Sequence, residues 1–524
     1  MQIVRYCIQD VILLAGVFEI VQECGELDVL AVHRTVNARG IAFDVGLARK
    51  LMVLELAATD RIKCDVDAVT AGAVTGKDLR RVKFLIDWLA EQGIRVPNLQ
   101  KETISHLLDS DLSIPADVRS VLEARLSVNR ITASKLQAAI DGCDGDGRLR
   151  DQLVYYGAHT GRWSGRGVQP HNLPKPVSDL DYVSPLLPLV DDYETFQHAL
   201  PAGVSVADAI SGLIRPCFRA QPGHVLCIGD FAGIEARGTA WCADEQRQLE
   251  LFAEGGDNYC DLASQIYGYT VTPEMKKERA VGKVAVLGCG YGMAAETFAA
   301  NCTKKNVNLA AASTTPEAVI ESYRDRYPAI AGRKRPGSSG GWREGGLWSN
   351  LELAVRRAIN GNGPSEVGKC RVQMQGSDLL IRLPSGRLLY YRNAHIERFS
   401  KEGVHSSRHS IVFDGPVRPR ESTYGGKLTE NIVSAICRDL LATAIINCER
   451  AGLPVVLHVH DEIVIEVPAD QAESALRQLL TIMSTPPAWA AGFPIEVEGF
   501  GSERYFKSPP RGTRVLRGRD GQTL

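Results

Sequence analysis

Leu453–Pro468 reads L-P-V-V-L-H-V-H-D-E-I-V-I-E-V-P, two β-branched runs set around the triplet His460-Asp461-Glu462. Val455–Val459 and Ile463–Val467 have the composition of paired strands, so the stretch predicts a β-hairpin. Tight hairpin turns favour Asn-Gly or Asp-Gly, which tolerate positive φ. An imidazole and two acids break that rule between strands that otherwise obey their pattern. Such a local exception is expected where function overrides folding preference.

A second stretch far upstream gives the exception a chemistry. Val225–Arg237 reads V-L-C-I-G-D-F-A-G-I-E-A-R, a short apolar run that ends in Asp230 and passes into a helix-compatible segment. A carboxylate at the end of a buried strand is costly unless a cation pairs with it. If the two strands lie side by side, Asp230 and Asp461 form a Mg²⁺ site, since Mg²⁺ takes one or two protein carboxylates and completes its octahedron with water and phosphate oxygens. A pair of such ions about 3.5–4 Å apart serves in-line nucleotidyl transfer.

The chain of 524 residues is too long for one core and predicts several subdomains. Its 44% hydrophobic and 23% charged residues are ordinary for a soluble globular protein, and a formal net charge of −2 confines any nucleic-acid surface to a local patch. The 13 cysteines are scattered without a C-x-x-C pair, which suits a reduced compartment better than a disulfide framework or a zinc site. No run of 18 apolar residues and no cleavable leader is evident. The expectation is a cytoplasmic protein with no membrane association.

Met1–Phe18 reads as an apolar helix with Tyr6 and Asp10 on one face. Helices are expected over Leu27–Arg39, Val45–Arg61, Lys77–Gln92 and Ile114–Gly142, with R-G-I-A-F-D at Arg39–Asp44 as a turn and short strand. Arg130 and Lys135, in Val128–Gln137, could lie against a phosphate backbone. Tyr155–Pro174 is glycine-rich and displays Arg162, Arg166, Gln169, His171 and Asn172 on irregular backbone, which argues for ligand contact. Thr272-Pro273 reads as the start of a helix that carries Arg279, Lys283, Leu287 and Tyr291 at steps of four, cations first and aromatic last. Arg333–Gly346 reads as an exposed loop, Leu379–Tyr391 as a hairpin with a P-S-G turn, and Thr429–Ala451 as a long helix.

Together these stretches resemble the family A (polymerase I-like) DNA polymerases, the phage-type members most. D-F-A-G-I-E-A-R at Asp230–Arg237 is similar to motif A, R-A-V-G-K-V-A-V-L-G-C-G-Y-G at Arg279–Gly292 to motif B, and V-H-D-E at Val459–Glu462 to motif C. T-G-R-W-S-G-R-G-V-Q-P-H-N-L-P at Thr160–Pro174 resembles the stretch that precedes motif A. Tyr424–Asn431 and the ending W-A-A-G-F-P-I-E-V…Y-F-K resemble the phage-type group. Order and spacing agree over Arg39–Lys507, roughly nine-tenths of the chain.

The resemblance implies an α+β right-hand fold and a template-directed DNA polymerase acting on primer–template DNA and dNTPs. It divides the chain into an exonuclease remnant (1–25), a helical connecting region and thumb (26–150), palm (151–241 and 429–524) and fingers with inserted hairpins (242–428). Asp230, the Phe231 carbonyl, Asp461 and Glu462 would form the site for two Mg²⁺, with Glu462 in support. Arg279, Lys283, Leu287, Tyr291, Glu235 and His460 would surround the dNTP. Lys283 would also protonate the leaving pyrophosphate, and Glu235 would close the space of a ribose 2′-OH. Arg162, Gln169, His171, Asn172 and Lys135 would contact DNA, the minor groove offering nearly the same acceptors at every base pair. Nothing points to a particular processivity factor or helicase.

Departures from the family pattern are Leu287 for Phe or Tyr, His171 for Gln, Phe231-Ala232 for Tyr-Ser, and Ser434 for Gln. None removes a metal ligand or a phosphate cation, so activity is expected with altered discrimination. A single-subunit RNA polymerase shares the palm acids but leaves room for a 2′-OH that Glu235 closes. A non-catalytic DNA-binding prophage remnant is opposed by the intact acids and cations. Tyr6 and Asp10 resemble only the last of three exonuclease motifs, and one carboxylate does not hold two Mg²⁺ against their hydration. No proofreading is therefore expected in this chain, and its first helix is expected to pack on its helical neighbours with its apolar face dry.

Overall fold

The hairpin forms. In the computed structural model, which describes residues 2–523 apart from 24–25, 109–112, 129–131, 175–182, 203, 306, 308, 310–313, 335–342, 400–407 and 416–417, Val455–Val459 pairs antiparallel with Glu462–Pro468. Glu462 joins the strand rather than the turn, because it stands opposite Val459 on one side and Asp230 on the other. The turn is His460-Asp461, with His460 at φ 56°, a left-handed conformation uncommon outside glycine. His224–Phe231 pairs along the far edge of Glu462–Pro468, and Glu496–Ser502, Leu516–Arg519 and Gln522–Thr523 complete a six-stranded antiparallel sheet.

Helix Ala472–Ser484 crosses this sheet where glycines leave room. A Cβ at Gly499 would lie 2.7 Å from the Ile228 carbonyl oxygen and 2.8 Å from a Leu480 methyl. Past Phe231 the chain must change from strand to helix within a few residues. Gly233 does this at φ 58°, directly before helix Ile234–Ala243. The 26-residue helix Gly425–Arg450 packs against it. By length and hydropathy this long helix would pass for a membrane span, yet 78% of its apolar window is buried in the protein, which marks a core helix.

Among the described residues, three large apolar clusters and a small fourth around Cys260, Ala263 and Val271 hold the chain. The largest joins the central sheet to a second, six-stranded meander running from Ser365–Val367 to Glu421–Thr423. The P-S-G hairpin is part of that meander, pairing Asp378–Arg382 with Leu388–Phe399. A second cluster gathers Val66, Leu85, Trp88, Val118 and Leu122 among the N-terminal helices. A third gathers Leu262, Val281, Ala285, Phe298 and Tyr323 around helices Asn258–Tyr267 and Lys276–Cys289.

Several expectations need correction. The motif B helix begins at Lys276 rather than Thr272, and Met275 precedes it without a side-chain cap. Within Ile114–Gly142 the structure describes helices Ala116–Val128 and Thr132–Asp141, and residues 129–131, Arg130 among them, lie outside the described residues. Lys135 is buried and its ammonium donates to the Val168 carbonyl at 3.2 Å, so it faces the core instead of a phosphate. Helix Gln2–Glu23 does not keep its apolar face dry, since Val4, Ile8, Val11, Ile12, Leu13 and Leu14 are each more than half exposed. The Tyr6 side chain lies outside the described residues.

Gly282 shows how tightly the motif B helix is seated. A Cβ there would stand 2.1 Å from the Tyr259 carbonyl oxygen, backbone that has little freedom to move. Gly282→Ala should therefore lower the thermal midpoint, costing about 1–3 kcal/mol by overpacking despite alanine's better helix propensity. An unchanged midpoint would show that the two helices can part at no cost.

Candidate active site

Because His224–Phe231 and Glu462–Pro468 are neighbours, Asp230 stands opposite Glu462 and next to the turn that carries Asp461. The Phe231 N–H donates to the Asp461 carbonyl at 3.0 Å, which fixes the turn against the strand end. Burial and repulsion from Asp230 push the Asp461 carboxyl well above the usual range, and burial does the same to Glu462. Glu462 points back into the protein. Its Oε1 accepts from the Tyr505 hydroxyl at 2.5 Å, and its Oε2 from Lys507 at 3.4 Å. Lys507 also donates to Asp230 Oδ2 at 2.8 Å.

Asp230 and Asp461 line a cavity of about 550 Å³ together with Arg162, His171, Arg215, Phe231, Glu235, Tyr259, Leu287, His460 and Lys507. Its donor set fits a hard divalent cation. Among the described residues no three His, Cys, Asp or Glu side chains converge on one point. The protein thus offers two carboxylates and leaves the other positions to water and phosphate oxygens, as Mg²⁺ requires. Glu462, expected among the ligands, has both oxygens engaged by Tyr505 and Lys507 and supports the site from behind.

Glu235, at the start of helix Ile234–Ala243, is held on both sides. Arg162 pairs with its Oε1 at 2.5 Å, and the Tyr291 hydroxyl donates to its Oε2 at 3.4 Å. Arg237, two residues on, is buried and donates to the Ala232 and Pro494 carbonyls and to Glu496, locking the strand-to-helix turn. Arg279 donates to Asp257 at 2.7 Å and lies over the Tyr259 ring at 5.1 Å, with Lys283 over the same ring at 5.8 Å. Arg279 and Lys283 do not line the cavity itself; Tyr259 stands between them and it. Asp257 also caps helix Asn258–Tyr267, so one carboxylate places both the helix and the guanidinium.

The Tyr155–Pro174 loop reaches the site as expected. His460 Nε2 lies 3.0 Å from the His171 carbonyl oxygen, and burial beside His460 lowers His171 to about 4. Gln169 is exposed at φ 55°, and its side chain accepts from Asn172 at 3.1 Å. Sequence reading missed Arg215, Asp257, Tyr259, Tyr505 and Lys507. The Y-F-K ending was visible as a pattern, but nothing in the sequence joins it to acids more than forty residues away.

Comparison with known proteins follows this geometry. A sequence profile described as DNA polymerase family A matches residues 96–333. A DNA polymerase of Bacillus phage SP02 is 30% identical over 518 residues, covering 96% of this chain and 74% of the phage protein. The chain belongs to the family A DNA polymerases. The polymerase is also similar to the thermostable DNA polymerase I of Thermus thermophilus, at 25% identity over 57% of this chain and 29% of that protein. The DNA polymerase of Mycobacterium phage D29 is 23% identical over 52% and 33% of the two chains. The polymerase domain of Pol1 from M. smegmatis, solved with DNA primer-template and dNTP, superposes with a TM-score of 0.60 at 17% identity, over 91% of this chain and 69% of that one. The fold is accordingly the α+β fold of a polymerase I polymerase domain.

The Asp461 environment has a thermodynamic consequence. A carboxyl whose folded pKa is raised loses stability as pH rises through that value. In EDTA the polymerase should therefore be less stable at pH 8 than this group alone would allow at pH 5. Asp461→Asn should stabilise the protein in EDTA at pH 8 by about 1 kcal/mol, seen as a higher thermal midpoint, and flatten that part of the pH dependence. A lower midpoint in the variant would show that the carboxylate is stabilising and the repulsion unimportant.

Proposed function

We propose that this polymerase extends a DNA primer along a template, adding dNTPs to the 3′-OH by nucleotidyl transfer that depends on two Mg²⁺ ions. The observation that carries this reading is Asp230 and Asp461 lining one cavity, whose wall includes Tyr259 with Arg279 and Lys283 over its ring. Asp230, Asp461 and the Phe231 carbonyl would hold the ions. Once bound, they supply Lewis acidity that lowers the pKa of the 3′-OH and offsets charge on the transferred phosphorus.

The chain's own residues do the rest. Arg279, steered by Asp257, and Lys283 grip the triphosphate from the motif B helix, and Lys283 gives a proton to the leaving pyrophosphate. In reaching the cavity both cations move past Tyr259. Leu287 offers an apolar face to the sugar, while Glu235, braced by Arg162 and Tyr291, fills the room a 2′-OH would need. Arg162, Gln169, His171 and Asn172 face the minor groove of the primer–template, and His460 adjoins the primer end. The central sheet serves as palm (151–241 and 429–524), the helices within 242–428 as fingers, and 26–150 as connecting region and thumb. The separate apolar clusters around residues 66–128 and around the motif B helix support that division, although Val36–Ala58, Leu136–Leu149 and the meander share the palm's core. As a phage-type enzyme it works inside the host cell.

Two assays test the reading. Asp230→Ala and Asp461→Ala should each reduce primer extension at least about a thousandfold while leaving primer–template affinity nearly intact. Residual extension above that level by either variant would remove it from the metal site. Glu235→Ala should raise rNTP incorporation relative to dNTP in the same assay, and an unchanged ratio would mean that sugar selection lies elsewhere.

A further inference from the structure

Lys507 lies far along the chain from both metal-binding motifs, yet the fold delivers its ammonium to their carboxylates. The segment before it is anchored at successive points. The Glu503 carbonyl accepts from the Ala220 N–H at 2.8 Å, and Arg504 donates to the Pro216 carbonyl and to Asp44, both at 2.8 Å. The Tyr505 N–H donates to the Phe218 carbonyl at 2.9 Å. The Tyr505 ring is fully buried, and its hydroxyl accepts from Arg215 at 3.1 Å while donating to Glu462 at 2.5 Å. Lys507 then reaches Asp230 Oδ2 at 2.8 Å and Glu462 Oε2 at 3.4 Å. It also forms part of the cavity wall.

We propose that Lys507 is a positioning residue of the acid cluster, a built-in cation that holds Asp230 and Glu462 together and tunes divalent-ion affinity by competing for Asp230 Oδ2. Asp230, Asp461 and Glu462 carry three negative charges when ionised, and Lys507 offsets one. An ion that binds Asp230 either takes Oδ2 from the ammonium or coexists with a positive charge a few ångströms away. Both weaken its binding. In return, the fully buried Glu462 keeps a partner whether or not an ion is present, so the palm does not depend on metal for its integrity. A purely structural salt bridge would give the second effect without the first.

The inference rests on the metal-dependent reading above, and the test separates the two. Mn²⁺ binding to the full chain without DNA is titrated by the electron paramagnetic resonance of free Mn²⁺, alongside thermal midpoints in EDTA and in saturating Mg²⁺. Lys507→Met should bind Mn²⁺ at least about tenfold more tightly than the parent. Its midpoint should fall in EDTA and recover in Mg²⁺, whereas Lys507→Arg should stay within about threefold of the parent affinity. Should Lys507→Met fail to fold, Glu462→Gln with Lys507→Met is compared with Glu462→Gln alone, and the double variant should bind about tenfold more tightly. Unchanged or weaker Mn²⁺ binding in the Lys507→Met variants overturns the proposal while leaving the metal site standing. A parent protein that binds no Mn²⁺ overturns both.

Discussion

Antiparallel pairing of His224–Phe231 with Glu462–Pro468 places Asp230 opposite Glu462 and beside Asp461, and neither strand can relax to separate the acids. Like charges in a partly desolvated site repel far more strongly than in water. The surrounding structure answers that repulsion in layers. Lys507 bridges Asp230 and Glu462, Tyr505 donates to the other Glu462 oxygen, and Arg215 donates to Tyr505. What remains uncompensated is the face of Asp230 and Asp461 that opens to the cavity, where a divalent ion and a triphosphate would meet. The strained His460 turn fits the same logic, since unusual backbone persists where its surroundings over-determine it.

The sequence made the palm acids legible because strand patterning and its single interruption are local signals. The β-branched runs are buried along almost their whole length, and a carboxylate at a strand end has few bland explanations. The motif B helix was legible for a similar reason, with Arg279, Lys283, Leu287 and Tyr291 spaced along one face. Its start was misplaced because Thr272-Pro273 has the composition of a helix cap while the backbone makes a turn there first. Lys135 was misread because charge alone does not distinguish a solvated face from a lysine whose stem is buried and whose ammonium finds a carbonyl. Lys507, Tyr505 and Asp257 were invisible for a deeper reason. Each acts through a contact set by tertiary closure, and no local pattern encodes it.

The same closure links Glu235, the proposed sugar gate, to elements far from it. Arg162, which braces Glu235, sits on the loop that begins at Tyr155. That loop is held by Arg438, itself buried on the long helix, which donates to the Gly161 carbonyl at 2.9 Å and lies 4.6 Å over the Trp163 ring. Arg387, from the P-S-G hairpin, donates to the Thr160 carbonyl at 2.9 Å and to Asp439 at 2.8 Å. Glu26 pairs with Arg438 and accepts from the Tyr155 hydroxyl at 2.8 Å. Buried ions on this scale add little net stability, because desolvation offsets most of their attraction. Their effect is to make one loop position far better than its neighbours. A hydrophobic contact of equal area would tolerate sliding, whereas a guanidinium bonded to a carbonyl and a carboxylate does not. The hydroxyl exclusion proposed for Glu235 would depend on placing that one carboxylate to within a fraction of an ångström. The meander, the long helix and the first N-terminal turn after residue 25 all contribute a charged group to that placement.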